Sequence, residues 1–209
     1  MAEITAQMVK ELREMTGAGP LDCKKALQEN NGDLQKAADY LREKGIASAI
    51  KKLGKGRTMN EGLIEVYQHF NRRLGVMVEV NCETDFVANT ERFKQFARDI
   101  AMHIVSAGPQ YVRREDIPES VVTAERDIQK HRAIEEGKKP EIAEKVAEGR
   151  MAKFFQDIVL MEQSFFKDDD KTIETLLQEV VGELGESIQI RRFARFALGE
   201  VLGDGDGAE

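Results

Sequence analysis

The stretch from Leu74 to Val105 changes its hydrophobic period part-way along, and that change limits the folds open to the chain. Val76, Val78 and Val80 alternate with Met77, Glu79 and Asn81, a spacing of two that predicts a strand with one buried face. Further on, Phe93, Phe96, Ala97, Ile100, Ala101, Ile104 and Val105 fall on one face of a helix beginning near Thr90. The segment Asn81-Cys-Glu-Thr-Asp-Phe-Val-Ala-Asn89 therefore lies where a strand hands over to a helix. Two readings of Thr84–Val87 follow. In one, Thr84 or Asp85 caps a helix and Phe86 staples it to the core. In the other, an acidic side chain beside an aromatic one at an exposed tip is a carboxylate and wedge presented to a partner.

The 209 residues allow one sizeable core and one or two smaller modules, since domains average roughly 100–200 residues. Lys and Arg number 31 against 38 Asp and Glu, a net charge of −7, which disfavours nucleic acid or an anionic membrane as the main target and favours protein partners. The two cysteines, Cys23 and Cys82, are too few for a disulfide framework and lack the spacing of a zinc site. No apolar run approaches the roughly 20 residues of a membrane span, and Met1-Ala-Glu-Ile-Thr5 lacks a basic region followed by an apolar one. The expectation is a cytoplasmic protein without a metal site or cofactor of its own.

Residues 1–53 read as a compact helical module. Thr5 caps a helix carrying Met8, Val9 and Leu12, which Thr16-Gly-Ala-Gly19 ends. Pro20 fits the first turn of a second helix through Cys23, Ala26 and Leu27, and a third starts at Asp33. A shorter helical stretch is expected from Ile46 to Leu53. Gly17 and Gly19 do not form a phosphate loop, because no strand precedes them and no Gly-Lys-Ser/Thr ending follows. Residues 54–60 read as a linker. The five basic residues between Lys44 and Arg57 are a weak nucleic-acid signal, better explained as a solvated face.

Residues 61–199 read as an α+β body. Leu63–Tyr67 and Leu74–Cys82 are expected to pair antiparallel across a turn at Phe70–Arg73, and Ile188 to Leu198 to supply a third strand. His69, Cys82 and Asp85 name the residue types of a thiol-nucleophile triad, but proximity in sequence is not a geometry. Cys82 shares the parity of Val78 and Val80, so a small buried hydrophobe is the preferred reading. His103, beside the apolar stripe of its helix, reads as a packed histidine. Residues 119–154 form two charged helices broken at Gly137-Lys-Lys-Pro140, with a sparse seam of Val122, Ile128, Ile142, Val146 and Met151. These features predict a protruding antiparallel helical hairpin. Lys167–Lys171 reads as a charged turn, Thr172 as the cap of a further helix, and 200–209 as an acidic tail that lacks the ligand spacing of a calcium loop.

Val9-Lys-Glu-Leu-Arg13, Thr16-Gly-Ala-Gly19 and Asp22-Cys-Lys-Lys-Ala-Leu27 resemble the amino-terminal module of the bacterial elongation factor Ts family. Val80-Asn-Cys-Glu-Thr-Asp-Phe-Val87 is similar to that family's second signature, and Pro140–Met151 to a third within its coiled-coil protrusion. Pro20 and Leu21 stand where many members carry two methionines. The resemblance implies a module of the ubiquitin-associated type that docks on elongation factor Tu, and guanine-nucleotide exchange on that GTPase. It further implies that Thr84, Asp85, Phe86 and Val87 disturb the partner's magnesium and nucleotide site. Leu12, Arg13, Gly17, Gly19, Pro20, Leu21 and His69 are the residues it assigns to docking. Longer relatives carry two sheet-bearing subdomains where this sequence has one, which leads to the expectation of a homodimer. A non-catalytic helical adaptor and a thiol hydrolase using Cys82 are the alternatives.

Overall fold

The computed structural model of the protein describes residues 4–53 and 59–200. Its elements, in order, are α1 (Ala6–Thr16), α2 (Pro20–Glu29), α3 (Leu34–Leu53), β1 (Glu61–Gln68), β2 (Leu74–Cys82), α4 (Asp85–Ala88), α5 (Glu91–Ala107), α6 (Glu119–Glu135), α7 (Pro140–Ile158), β3 (Ser164–Phe165), β4 (Asp168–Thr172), α8 (Ile173–Leu184) and β5 (Ile188–Ala197). The chain is thus α+β, with an amino-terminal helical module ahead of a small sheet. It forms two compact units. One holds the residues up to Leu63 together with Val80–Phe96 and Thr175–Gln189; the other holds Ile64–Glu79, Ala97–Glu174 and the chain from Ile190 on.

In the first unit, α1 to α3 close on a core of Leu12, Cys23, Ala26, Leu27 and Ala37. Local chemistry sets their ends. The Thr5 hydroxyl accepts from Met8 N at 3.3 Å, and Gly17, at φ +68°, sends its N–H to Arg13 O to close α1. Pro20 occupies the first turn of α2, and Asp33 accepts from Lys36 N at 3.0 Å at the start of α3. That same bond is the first cause holding the Asp33 carboxyl below its ordinary range. The separate helix expected from Ile46 to Leu53 is instead the continuation of α3 across Gly45. Most of the expected linker, 54–58, and the tail beyond 200 lie outside the described residues, as do Lys55 and Arg57 of the basic cluster.

The three-stranded sheet has the order β1-β2-β5. His69 N donates to Leu74 O and Gly62 lies against Val80 and Asn81, so β1 and β2 run antiparallel. The intervening turn works without glycine because Arg72 takes a left-handed conformation at φ +57° and Asn71 accepts from Arg73 N. Val76, Val78, Val80 and Cys82 are buried as their parity predicts, and so is the apolar face of α5.

In the second unit the expected hairpin is present as α6 and α7, joined through Gly137. Its seam agrees with the expected one in part: Met151 is buried and Val122 and Val146 are half-buried, but Ile128 and Ile142 are exposed, and Ala133, Ala143 and Ala147 are buried in addition. Small side chains let two helices approach closely, so the large aliphatics are left to the rim. Charged residues fasten the rim: Arg150 donates twice to Glu136, at 2.9 and 2.7 Å, and holds its carboxyl below the ordinary range. The expected charged turn at 167–171 is largely strand β4, paired with β3 through Ser164↔Thr172 and Phe165↔Asp168. The buried Phe165 anchors a ribbon whose outward residues are acidic. His103 is buried and bonded to Gln163 at 3.1 Å.

Candidate functional site

The handover between β2 and α5 is a separate short helix, α4, bounded by two threonines. Thr84 is its N-cap, its hydroxyl accepting from Val87 N at 3.4 Å. Thr90 repeats the device one step on. Its hydroxyl donates to Val87 O at 2.8 Å and accepts from Phe93 N at 3.2 Å, which starts α5. Val87 is thereby held at both its N–H and its carbonyl. Between the threonines, Asp85 and Phe86 are both exposed, Phe86 at 83%. Phe86 therefore does not staple the helix to the core. The turn thus presents a large apolar side chain to solvent, capped at both ends.

The junction of α1 and α2 forms a second presented surface. Arg13, Gly17, Gly19 and Pro20 are exposed, and Leu21 (74%) and Met15 (54%) put apolar side chains into solvent. Leu12 is a correction to the expected docking set: it is fully buried at the centre of the helical module, so it supports the surface without being part of it. His69 belongs to the second unit, at the β1–β2 turn. It is half-buried, 3.5 Å from the Tyr67 hydroxyl and with its ring centroid 4.4 Å from that of the exposed Phe70.

Cys82 is buried, and its S–H donates to Thr84 O at 3.1 Å. Burial first, then the nearby Glu186 charge, pushes the thiol up to about 11. At neutral pH it is protonated and shielded, the opposite of an activated nucleophile. Among the described residues, no group of three or more His, Cys, Asp or Glu is arranged to hold a metal, and no helix is long and apolar enough to cross a membrane.

A sequence profile of the family described as Elongation factor TS matches residues 3–200. The chain is 56% identical to Elongation factor Ts of Carboxydothermus hydrogenoformans, over 95% of this chain and 91% of that one. It is 54% identical to the Elongation factor Ts of Thermoanaerobacter sp. strain X514, covering 94% and 96% of the two chains, and also 54% identical to that of Geobacter sulfurreducens, covering 95% and 91%. The chain belongs to the elongation factor Ts family. It is accordingly an exchange factor of protein biosynthesis, acting at translation elongation.

Within that family frame, the polar residues behind the tip are what sequence reasoning missed. Glu186 accepts from Thr84 N at 3.1 Å and from the Thr84 hydroxyl at 2.7 Å, and Ser187 N donates to Glu83 at 2.8 Å. Arg92 at the start of α5 forms an ion pair with Glu183 at the end of α8. These partners lie about a hundred positions from the tip, and no local pattern in the sequence marks them.

Proposed function

We propose that this member of the elongation factor Ts family promotes GDP release from the GTPase elongation factor Tu, in the cytoplasm, by pressing the Asp85–Phe86 tip against the partner's nucleotide site. The exposure of Phe86 on a turn fixed at both ends is the observation that carries this reading. A GTPase of this class holds its nucleotide through backbone amides around the phosphates and a bridging magnesium ion. Phe86 acts as an apolar wedge beside the switch region. Asp85 places a second negative charge where the magnesium network is tuned to the phosphates. Thr84 and Val87 keep the tip in shape. Factor and nucleotide each weaken the other's hold, by the reciprocity of linkage, and a coupling of about 1.4 kcal/mol already changes release tenfold.

Arg13, Gly17, Gly19, Pro20 and Leu21 supply docking affinity from the α1–α2 junction, and His69 with Phe70 adds a contact at the β1–β2 turn. The chain makes and breaks no covalent bond, so it is not an enzyme in its own right. The test is release of a fluorescent GDP analogue from elongation factor Tu in the presence of the wild type, Asp85→Ala or Phe86→Ala. Acceleration by the wild type that both variants lose while still binding is the expected result. Absence of acceleration at any concentration would leave the helical adaptor. A hydrolase using Cys82 requires inactivation by alkylation of the native protein at pH 8, where the expected outcome is no modification until the chain unfolds.

A homodimer is the second element of the proposal. On one face of the sheet, Ile64 and Val66 of β1, Met77 of β2 and Phe196 of β5 are exposed together, with Leu198 just beyond. Glu79 lies among them in ion pairs with Arg191 and Arg192. An apolar sheet face of this kind is suited to burial against a copy of itself about a twofold axis. Light scattering at micromolar concentration is expected to give twice the chain mass of 23.5 kDa, and the single mass would reject the dimer.

A further inference from the structure

Glu186 follows the turn at Gly185 that ends α8, and both of its carboxylate oxygens face Thr84. One accepts from the Thr84 backbone N–H at 3.1 Å and the other from the Thr84 hydroxyl at 2.7 Å. Ser187 N returns a bond to Glu83 at 2.8 Å, so two adjacent residues of one segment are stitched to two adjacent residues of the other. The direction of the hydroxyl bond matters. A threonine hydroxyl has one proton and two lone pairs. With its proton committed to the Glu186 carboxylate, the oxygen is left as an acceptor, which is the role it plays toward Val87 N. A charged acceptor also strengthens the next bond in the chain. The relay therefore runs from Glu186 through Thr84 to Val87, and Asp85 and Phe86 lie inside the loop it closes.

We propose that Glu186 is a positioning residue of exchange, fixing the Thr84 hydroxyl as the cap of α4 and so holding Asp85 and Phe86 in the geometry in which they meet the partner. This rests on the exchange reading above. Glu186 touches neither nucleotide nor partner in this role; it acts through Thr84. Glutamine at this position keeps the shape, but its NH2 would face one of the two Thr84 donors, so the paired acceptance is lost.

The experiment uses the full chain and follows release of the fluorescent GDP analogue from elongation factor Tu over a range of factor concentrations. It separates the maximal rate from the half-saturating concentration for the wild type, Glu186→Gln, Thr84→Val, the double variant, Thr84→Ser and Phe86→Ala. The expected result is a maximal rate lowered about tenfold in Glu186→Gln and in Thr84→Val, with half-saturation unchanged. The double variant should be no worse than either single one, because the two residues act as one unit. Thr84→Ser, which keeps the hydroxyl, should retain more of the maximal rate than Thr84→Val. Faster hydrogen exchange of the Val87 amide in Glu186→Gln is the direct readout of the relay. An unchanged maximal rate in Glu186→Gln, an effect confined to half-saturation, or multiplying losses in the double variant would each overturn the role. If Glu186→Gln does not fold, Thr84→Val and Thr84→Ser decide from the other end. Loss in Phe86→Ala but not in Glu186→Gln sinks the positioning role alone, whereas no acceleration by the wild type sinks the exchange reading as well.

Discussion

The two presented surfaces of the first unit, the α1–α2 junction and the α4 tip, offer solvent the same kind of group but are held in different ways. Leu21 at 74%, in the first turn of α2, and Phe86 at 83%, in the short helix α4, are both apolar side chains close behind a glycine or threonine cap. The polar ties around the junction are local among the described residues: Thr5 with Met8, Thr16 with Leu12, Gly17 with Arg13, Cys23 with Ala18. The tip is tied across about a hundred residues, through Thr84 to Glu186 and Glu83 to Ser187. A locally held surface is suited to affinity, since its polar ties close within its own helices. One held at long range needs the body of the protein to be folded first, and it can transmit force against a partner because it is braced. The contrast predicts that damage to the tip appears in the maximal exchange rate and damage to the junction in the concentration at which exchange saturates.

The largest effect is expected at the tip itself. Phe86→Ala should lower the maximal rate of nucleotide release about a hundredfold, comparable to losing a buried aromatic contact at the centre of an interface, while half-saturation shifts little. If half-saturation instead rose in proportion, Phe86 would be one more docking residue and the distinction between the surfaces would fail.

The same contrast explains how much of the molecule was legible in its residues. The helical module could be read almost completely, because Thr5, Gly17 and Pro20 act on neighbours three or four positions away. The sheet and α5 followed from the period-two and helical apolar patterns of β2 and Phe93–Val105. At the tip, the pattern located Thr84–Val87 but left open whether Phe86 pointed in or out, a matter settled by three-dimensional exposure. Leu12 was misplaced because a family's contact face and the core beneath it are interleaved along one helix, and only burial separates them. Part of the hairpin seam, Ile128 and Ile142, was misread for a related reason. Large aliphatics stand out in sequence, yet close helix packing selects Ala133, Ala143 and Ala147. Ribbon β3–β4 was missed because Asp168-Asp-Asp-Lys-Thr172 has the composition of a turn, and its pairing depends on residues outside the run. Glu186 had no local signature at all.

Next in size is a test of the bracing. Helix α8 carries contacts toward both surfaces: Glu179 lies 3.9 Å from Arg42 on α3, and Glu183 pairs with Arg92 behind the tip. Gly182, between them, lies against the backbone of Gly45, and a Cβ there would stand 3.2 Å from the Gly45 Cα, carbonyl carbon and oxygen. Gly182→Val must push α3 and α8 apart, at a cost of about 2 kcal/mol in stability, read as a lowered melting temperature. It is expected to be the one substitution that impairs half-saturation and maximal rate together. An effect on only one of them would show that α3 and the tip do not share α8 as their backing.

Leu21→Ala removes the more exposed of the junction's two large apolar side chains and leaves its helices intact. Half-saturation should rise about tenfold with the maximal rate kept, because the lost contact contributes to holding the factor in place before and after the nucleotide leaves. A fall in the maximal rate would mean that docking and nucleotide displacement cannot be separated on this surface.

The smallest effect is the most local. Thr5 accepts from Met8 N at the first turn of α1, and its replacement by Ala should cost about 1 kcal/mol, the ordinary value of an N-cap. Because the module's core of Leu12, Cys23, Ala26, Leu27 and Ala37 is closed within three helices, that loss should stay inside the module. Amide hydrogen exchange is expected to quicken across α1 and α2 and to remain unchanged at Val87 and Phe93, whose amides are capped by Thr84 and Thr90. Quickening at Val87 would connect the first cap of the chain to the tip through α3 and α8, and the local and long-range surfaces would then be one cooperative structure.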